Sequence, residues 1–254
     1  MEIKVFGEEK RLVKCKELLS NVKDGAYSRL FLYPIPTSRD GRHLTGSDTT
    51  FADAASLADG STLAVGYAIP DTLRAELSTR GADIYDLSAD ENFLKENARL
   101  TALGTLGYIL TAFPRAAYDM EIGVVGYGRI GSALVRLLLF LGARVRVFTT
   151  REAVRLSLCE AGVGAELVGE DTEPFPLDLL INTAPVRVFS EKALRLLPDD
   201  LKIIELAAGD NFLGAGELVR LPSVPTRSYP DSAGMVMANC IRARLGDCTG
   251  EVVL

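Results

Sequence analysis

Glu121-Ile122-Gly123-Val124-Val125 runs directly into Gly126-Tyr127-Gly128-Arg129-Ile130-Gly131. The first five residues form an apolar strand-like run, and the next six carry glycine in the pattern G-x-G-x-x-G. Behind the last glycine, Ile130, Leu134, Leu137, Leu138 and Leu141 recur at helical spacing until Gly142 stops the helix. A second strand, Arg144 to Phe148, follows about 20 residues after the motif opens, as the strand–turn–helix–strand context of a dinucleotide-binding fingerprint requires. That context matters, because a chain with 23 glycines can meet the bare pattern by chance. Gly126 permits the tight turn, Gly128 lets the backbone approach a pyrophosphate, and Gly131 lets the helix sit close to the strand. The helix start supplies free N–H groups and the positive end of a dipole for the phosphates. Tyr127, Arg129 and Ile130 complete the expected contact loop, Tyr127 as a spacer stacking over the cofactor edge. The plainer alternative is a glycine turn with no ligand.

The end of the next strand sets the cofactor flavour. An NAD site places Asp or Glu there for the ribose 2′-hydroxyl. Here Val145-Arg146-Val147-Phe148 ends in Thr149-Thr150-Arg151, with no carboxylate before Glu152. Two hydroxyls and a guanidinium suit a 2′-phosphate, so NADP is expected rather than NAD. The alternative makes Thr149 a helix cap and Arg151 a solvated charge. Asn182-Thr183-Ala184-Pro185 and Ala207-Ala208-Gly209 end two further strands, at the edge where open α/β sheets bind ligands. Thr183, Ala184, Pro185 and Ala207 are therefore candidate cofactor contacts, although strand-ending turns and close packing explain them nearly as well.

Outward from this centre the same alternation continues. Strands are expected at Ile3–Phe6, Arg29–Tyr33, Thr62–Gly66, Ala82–Leu87, Leu179–Asn182 and Lys202–Leu206. Helices are expected at 10–19, with Val13, Cys15, Leu18 and Leu19 as the apolar stripe, through Leu77, at 152–161, at 191–197 and at 231–245. Residues 88–113 read as one long helix, or two broken at Gly104 or Gly107. The fold class is α/β, with two doubly wound parallel-sheet, Rossmann-like domains joined by a long helix. The expected division is a flavodoxin-like substrate domain at 1–90 and a dinucleotide-binding domain at 91–230, whose connecting helix is 91–113. The helix 231–245 would pack back on the first domain. The polar stretch 37–50 reads as a loop.

Composition excludes several classes. Twenty-eight Lys and Arg against 34 Asp and Glu give a net charge of −6, without the footprint of a nucleic-acid binder. The strongest apolar run, Leu137–Leu141, falls far short of the roughly 18 to 20 residues of a membrane span. One histidine, His43, and four cysteines with no CxxC pair argue against a metal site. The start Met1–Phe6 alternates like a strand rather than a signal peptide, so a cytoplasmic protein with reduced thiols is expected.

The motifs together resemble the D-2-hydroxyacid dehydrogenase-like superfamily and, within it, the family of the dipicolinate synthase A protein. The matching pieces are 7–11, 97–105, 125–131, 141–145, 181–185 and Pro230-Asp231-Ser232-Ala233-Gly234. The resemblance implies two domains with the cofactor in the cleft. It also implies a dihydropyridine- or tetrahydropyridine-type dicarboxylate substrate, a role in bacterial spore formers and partnership with a second synthase subunit; a homodimer is also expected. The chain departs from the family patterns at informative places. Ala208 stands where the dehydrogenases carry a carboxylate-binding Arg. Asp231 stands where they carry a proton-donating His and the synthase family carries Lys. Leu100-Thr101-Ala102-Leu103-Gly104 replaces the synthase pattern Pro-Thr-x-Glu-Gly. The remaining candidates for a carboxylated small-molecule substrate are Arg39, Arg99, Thr101 and Arg187, with Asp231 as general acid. Each has an ordinary reading: a surface charge, a helix hydroxyl bonded to its own backbone, or, for Asp231, a helix cap. Three functions follow: an NADP-dependent reductase-like enzyme for a small dicarboxylate or cyclic imine, a non-catalytic dinucleotide-binding subunit or sensor, and an atypical D-2-hydroxyacid dehydrogenase.

Overall fold

Strands of four to six residues build two sheets, and every strand pair in both is parallel. The computed structural model describes residues 1–22, 25–168, 176–207, 209, 211–212 and 215–246. The chain divides into two units, one made of residues 1–97 and the segment from Pro225 onward, the other of residues 98–224.

The first unit contains β1 (Glu2–Val5), α1 (Lys10–Leu19), β2 (Arg29–Leu32), α2 (Phe51–Ala55), β3 (Thr62–Gly66), α3 (Asp71–Thr79) and β4 (Asp83–Asp86). Its sheet runs in the order β1-β2-β3-β4. Strand periodicity sorts the side chains to two faces. Leu30, Leu32, Leu63 and Val65 pack with Leu12, Cys15 and Leu19 of α1. Phe31, Tyr33 and Ala64 pack on the other side with Phe51 of α2 and Leu73 and Leu77 of α3. Inside the polar stretch 37–50, Asp40 Oδ1 accepts from the backbone N–H of Arg42 and His43, and its other oxygen lies 2.8 Å from His43 Nδ1.

α1 corrects one expectation. Val13 is 57% exposed, whereas Arg11, 2% exposed, is buried beside Leu12, Cys15 and Leu19. The reason is polar. Arg11 Nε donates to Thr226 Oγ1 at 3.0 Å, Nη1 donates to Asn97 Oδ1 at 3.4 Å, and Glu9 Oε1 lies 3.4 Å from Nε. Thr226 Oγ1 donates in turn to Glu9 Oε1 at 2.7 Å, and Ile35 N–H donates to Glu9 Oε2 at 3.2 Å. A guanidinium can stay buried only where its donors meet acceptors and its charge meets a carboxylate.

α4 (Glu91–Ala112) begins at Asp90, whose Oδ1 accepts the Phe93 N–H at 2.7 Å. It runs through Gly104 and Gly107 as one helix of 22 residues, so neither expected break occurs. Ala102, Leu106 and Ile109 are buried along this stretch, and their burial outweighs the ~1 kcal/mol cost of each glycine. The boundary between the units falls inside α4, after Asn97.

The second unit continues with β5 (Glu121–Val125), α5 (Arg129–Phe140), β6 (Arg144–Thr149), α6 (Glu152–Glu160), β7 (Gly164–Leu167), β8 (Leu179–Asn182), α7 (Glu191–Arg195), β9 (Lys202–Glu205) and β10 (Glu217–Arg220). The strand order is β10-β9-β8-β5-β6-β7. The chain builds outward from β5 in one direction and then returns to build outward in the other, so the order reverses between β5 and β8. In open α/β sheets that reversal opens a crevice at the carboxyl ends of the strands. Ile122, Val124, Val147, Ile181 and Ile204 face α4 and α5. Val125, Phe148, Leu180 and Ile203 face Phe189, Leu194 of α7 and Phe212.

After α8 (Val224–Ser228), α9 (Pro230–Leu245) returns to the first unit and packs along α1. A Cβ on Gly234 would lie 2.7 Å from Lys14 Cβ and 2.9 Å from the Arg11 carbonyl oxygen, so glycine there sets how closely the two helices approach. Tyr229 is the residue before α9 and Pro230 its first, which places Asp231 inside the first turn rather than at the cap.

Candidate functional site

The reversal point coincides with the glycine turn. Gly126 N–H donates to the Phe148 carbonyl at 2.8 Å, and Gly126 has φ +88, which only glycine adopts without strain. A Cβ on Gly126 would lie 2.9 Å from Thr183 Oγ1 and 3.3 Å from the Ala184 nitrogen. A Cβ on Gly131 would lie 2.2 Å from the Gly126 carbonyl oxygen, so the first turn of α5 rests directly on the strand end. Gly128 differs: nothing lies within 4 Å of a Cβ built there. It precedes α5 and offers no side chain to cap it. The result is a helix N-terminus whose backbone faces open space, with glycine wherever a side chain would intrude.

Two neighbouring strand ends frame the turn. On the β8 side, Thr183 Oγ1 donates to the Val125 carbonyl at 2.8 Å, and Thr183 N–H donates to the same oxygen at 2.9 Å. On the β6 side, Arg151 is exposed, and its Nη2 donates to the Tyr127 carbonyl at 2.8 Å. Thr149 is buried; its Oγ1 accepts from Arg151 N–H at 3.2 Å and is not the cap of α6, whose capping residue is Arg151. Thr150 is exposed. Glu152, the first carboxylate after this strand, is held by Arg155 at 2.6 Å. Tyr127 is half-buried against the apolar cluster of α4 and α5, so its ring contributes to packing. Arg129 is exposed and Ile130 half-buried at the helix start, and Pro185 is exposed beyond the buried Ala184.

A carboxylate that the strand pattern does not reveal lies beneath these turns. Glu205, the last residue of β9, is 2% exposed. Its Oε1 accepts from Asn182 Nδ2 at 2.8 Å and from Ala207 N–H at 3.0 Å, and its Oε2 accepts from Asn211 Nδ2 at 3.4 Å. Burial raises its pKa above the usual carboxylate range, against the opposing pull of these hydrogen bonds and of the Arg220 charge. The available signal was an acid closing the apolar strand Lys202-Ile203-Ile204-Glu205 just before small residues. Ala208 lies outside the described residues.

The candidate substrate groups are divided between the two units. Arg99 is exposed and Thr101 buried, both on α4. Arg187 is exposed, 3.7 Å from Glu191. Asp231 is exposed at the start of α9, in the other unit, where a carboxylate favours the helix dipole. Arg39 is exposed in the first unit.

No family model matches the chain. Among curated proteins it is similar to the dipicolinate synthase A protein of Bacillus subtilis, 25% identical over 163 residues, which are 61% of this chain. That match spans 55% of the relative, so the aligned segment is about half of its length. The crystal structure of the same Bacillus subtilis synthase polypeptide superposes with a TM-score of 0.77 at 16% identity, over 97% of this chain and 96% of that one. The NAD-complexed D-isomer specific 2-hydroxyacid dehydrogenase of Lactobacillus delbrueckii ssp. bulgaricus superposes at 0.55 with 12% identity, over 96% of each chain. In sequence and in fold the chain is similar to the dipicolinate synthase A protein, and it shares its two-sheet architecture with the D-2-hydroxyacid dehydrogenases.

Proposed function

We propose that the second unit binds a nicotinamide dinucleotide at the Gly126–Gly131 turn, and that the chain is an NADP-dependent reductase-like protein for a small dicarboxylate or cyclic imine. The observation that carries this reading is the glycine cradle. Side chains are excluded at Gly126 and Gly131 by contacts under 3 Å, while the backbone at Gly128 faces open space. A dinucleotide fits that cradle through backbone N–H groups and the dipole of α5, with Thr183 and Ala184 packed behind the turn. When bound, the nicotinamide supplies or accepts the hydride. The chain orients it and holds the phosphates.

The NADP preference rests on the end of β6. Arg151 presents an exposed guanidinium beside the Tyr127 carbonyl, and Glu152 is already paired with Arg155, leaving no free acid for a ribose 2′-hydroxyl at these positions. The substrate class and the expectation of a partner polypeptide are supported by the similarity to one component of a multi-subunit synthase.

A non-catalytic dinucleotide-binding subunit is the second reading. It is favoured by Asp231, solvent-exposed in a helix turn that suits a carboxylate, and by Arg187, already near Glu191. Fluorescence titration with NADPH and NADH, followed by turnover with dihydrodipicolinate-type substrates, tests both. Binding with turnover supports the enzyme, binding without turnover supports the non-catalytic reading, and no binding of either nucleotide overturns both.

A further inference from the structure

We infer that Glu205 is a positioning residue for the dinucleotide: its Oε1 holds the turn after β8 in place against the glycine turn and ties it to Ala207 after β9. This rests on the dinucleotide reading above and extends it to a residue outside the turn itself.

The chain of contacts is short. One oxygen, Oε1, accepts from Asn182 Nδ2 at 2.8 Å and from Ala207 N–H at 3.0 Å, and so ties the end of β8 to the first residues after β9. Asn182 is fully buried, and its amide is used at both ends. Nδ2 also donates to the Ala184 carbonyl at 3.1 Å, and Oδ1 accepts the Ala184 N–H at 3.1 Å. The Glu205 carboxylate therefore dictates which way the Asn182 amide faces, since only Nδ2 can donate to it. That orientation in turn fixes both polar groups of Ala184. Ala184 and Thr183 supply the atoms that Gly126 could not clear with a side chain, at 3.3 Å and 2.9 Å. A shift of the Asn182 amide would reach the glycine turn through one residue.

Burying a carboxylate costs free energy that an apolar residue of similar volume would not cost. A strand end needing only to pack against Phe212 and Ile203 would not require an acid. A preorganised pair of turns does, because two buried amides and one half-buried backbone N–H need an acceptor in one place.

The test uses the intact chain and direct NADPH binding. Glu205→Leu leaves Asn182 Nδ2 and Ala207 N–H without their acceptor and is expected to weaken NADPH binding by at least about tenfold. Glu205→Gln keeps a carbonyl oxygen at Oε1 and is expected to restore affinity to within about twofold of wild type. Asn211→Ala touches only Oε2 and is expected to lower the melting temperature without changing affinity. Adding Asn182→Ala to Glu205→Leu is expected to cost less than the sum of the two single losses, because they share the Asn182–Glu205 bond, while Asn182 also holds Ala184 directly. In the wild type without ligand, amide exchange by NMR is expected to show Ala184 and Ala207 protected. Unprotected amides, or an Asn211→Ala variant that loses as much affinity as Glu205→Leu, would overturn the proposal. The exchange measurement keeps it open to refutation if Glu205→Leu does not fold. Wild-type binding of neither nucleotide sinks the dinucleotide reading and this inference together. Tight binding by both wild type and Glu205→Leu sinks this inference alone.

Discussion

A methyl group on Gly131 would lie 2.2 Å from the carbonyl oxygen of Gly126, a backbone atom held at the end of the central strand. Neither atom can yield without lifting α5 off the sheet. Gly131→Ala is expected to destabilise the protein by about 1–3 kcal/mol, the usual cost of overpacking, and to abolish detectable NADPH binding. Urea denaturation and nucleotide titration on the same preparation check both.

The proposed NADP preference turns on Arg151. Arg151→Ala is expected to weaken NADPH binding by about tenfold and to leave NADH almost unchanged, because only NADPH carries the 2′-phosphate. An equal loss for both nucleotides would instead assign Arg151 to holding the Tyr127 carbonyl, the bond it makes in the free protein.

Asp86 closes β4 and accepts from Ala68 N–H, Ile69 N–H, Ser88 N–H and Ser88 Oγ, with Arg74 Nη2 at 2.9 Å. Burial opposes its ionisation, but the donors from Ser88, Ile69 and Ala68 outweigh it and hold the carboxyl below its ordinary value. A folded-state pKa below the unfolded one gives stability that is present above about pH 4 and is lost as pH falls through the folded value. Asp86→Asn is expected to lower the melting temperature at pH 7, with the gap to wild type closing in acid. A gap that stays constant between about pH 7 and about pH 3 would contradict this.

Arg11→Met removes the guanidinium and leaves the Glu9 carboxylate facing only Thr226 and the Ile35 N–H. Breaking a buried ion pair from one side costs about 3–5 kcal/mol, and a loss near the lower end is expected because Glu9 is still partly exposed. Chemical denaturation of the purified variant measures it.

The central strand, the glycine turn and the unbroken alternation were legible in the sequence because each is a local pattern. α1 begins and ends where its apolar residues indicate, at Lys10 and Leu19, and β3 spans the full run from Thr62 to Gly66. β7 and β10 left no such trace. Gly164-Ala165-Glu166-Leu167 and Glu217-Leu218-Val219-Arg220 are edge strands with one side toward solvent, so neither shows a continuous apolar run. Arg11 and Glu205 were illegible for a different reason. Their burial depends on partners at Thr226 and Asn182, far away in sequence, and no periodicity encodes such a partner. The framework of the candidate site could thus be read from residue spacing, while these buried polar contacts could not.

The first unit draws its last helix, α9, from the far end of the chain, whereas residues 98–224 of the second unit are continuous. During synthesis the second unit can complete its sheet on the ribosome while α1 still waits for the helix that covers it. Until Leu245 has emerged, Leu12, Cys15 and Leu19 lack the apolar surface of Met237 and Ile241, and Glu9 and Arg11 lack Thr226. The unit translated first is therefore the one that matures last, and a nascent chain arrested before α9 would hold a completed second sheet and a first unit whose α1 is still uncovered.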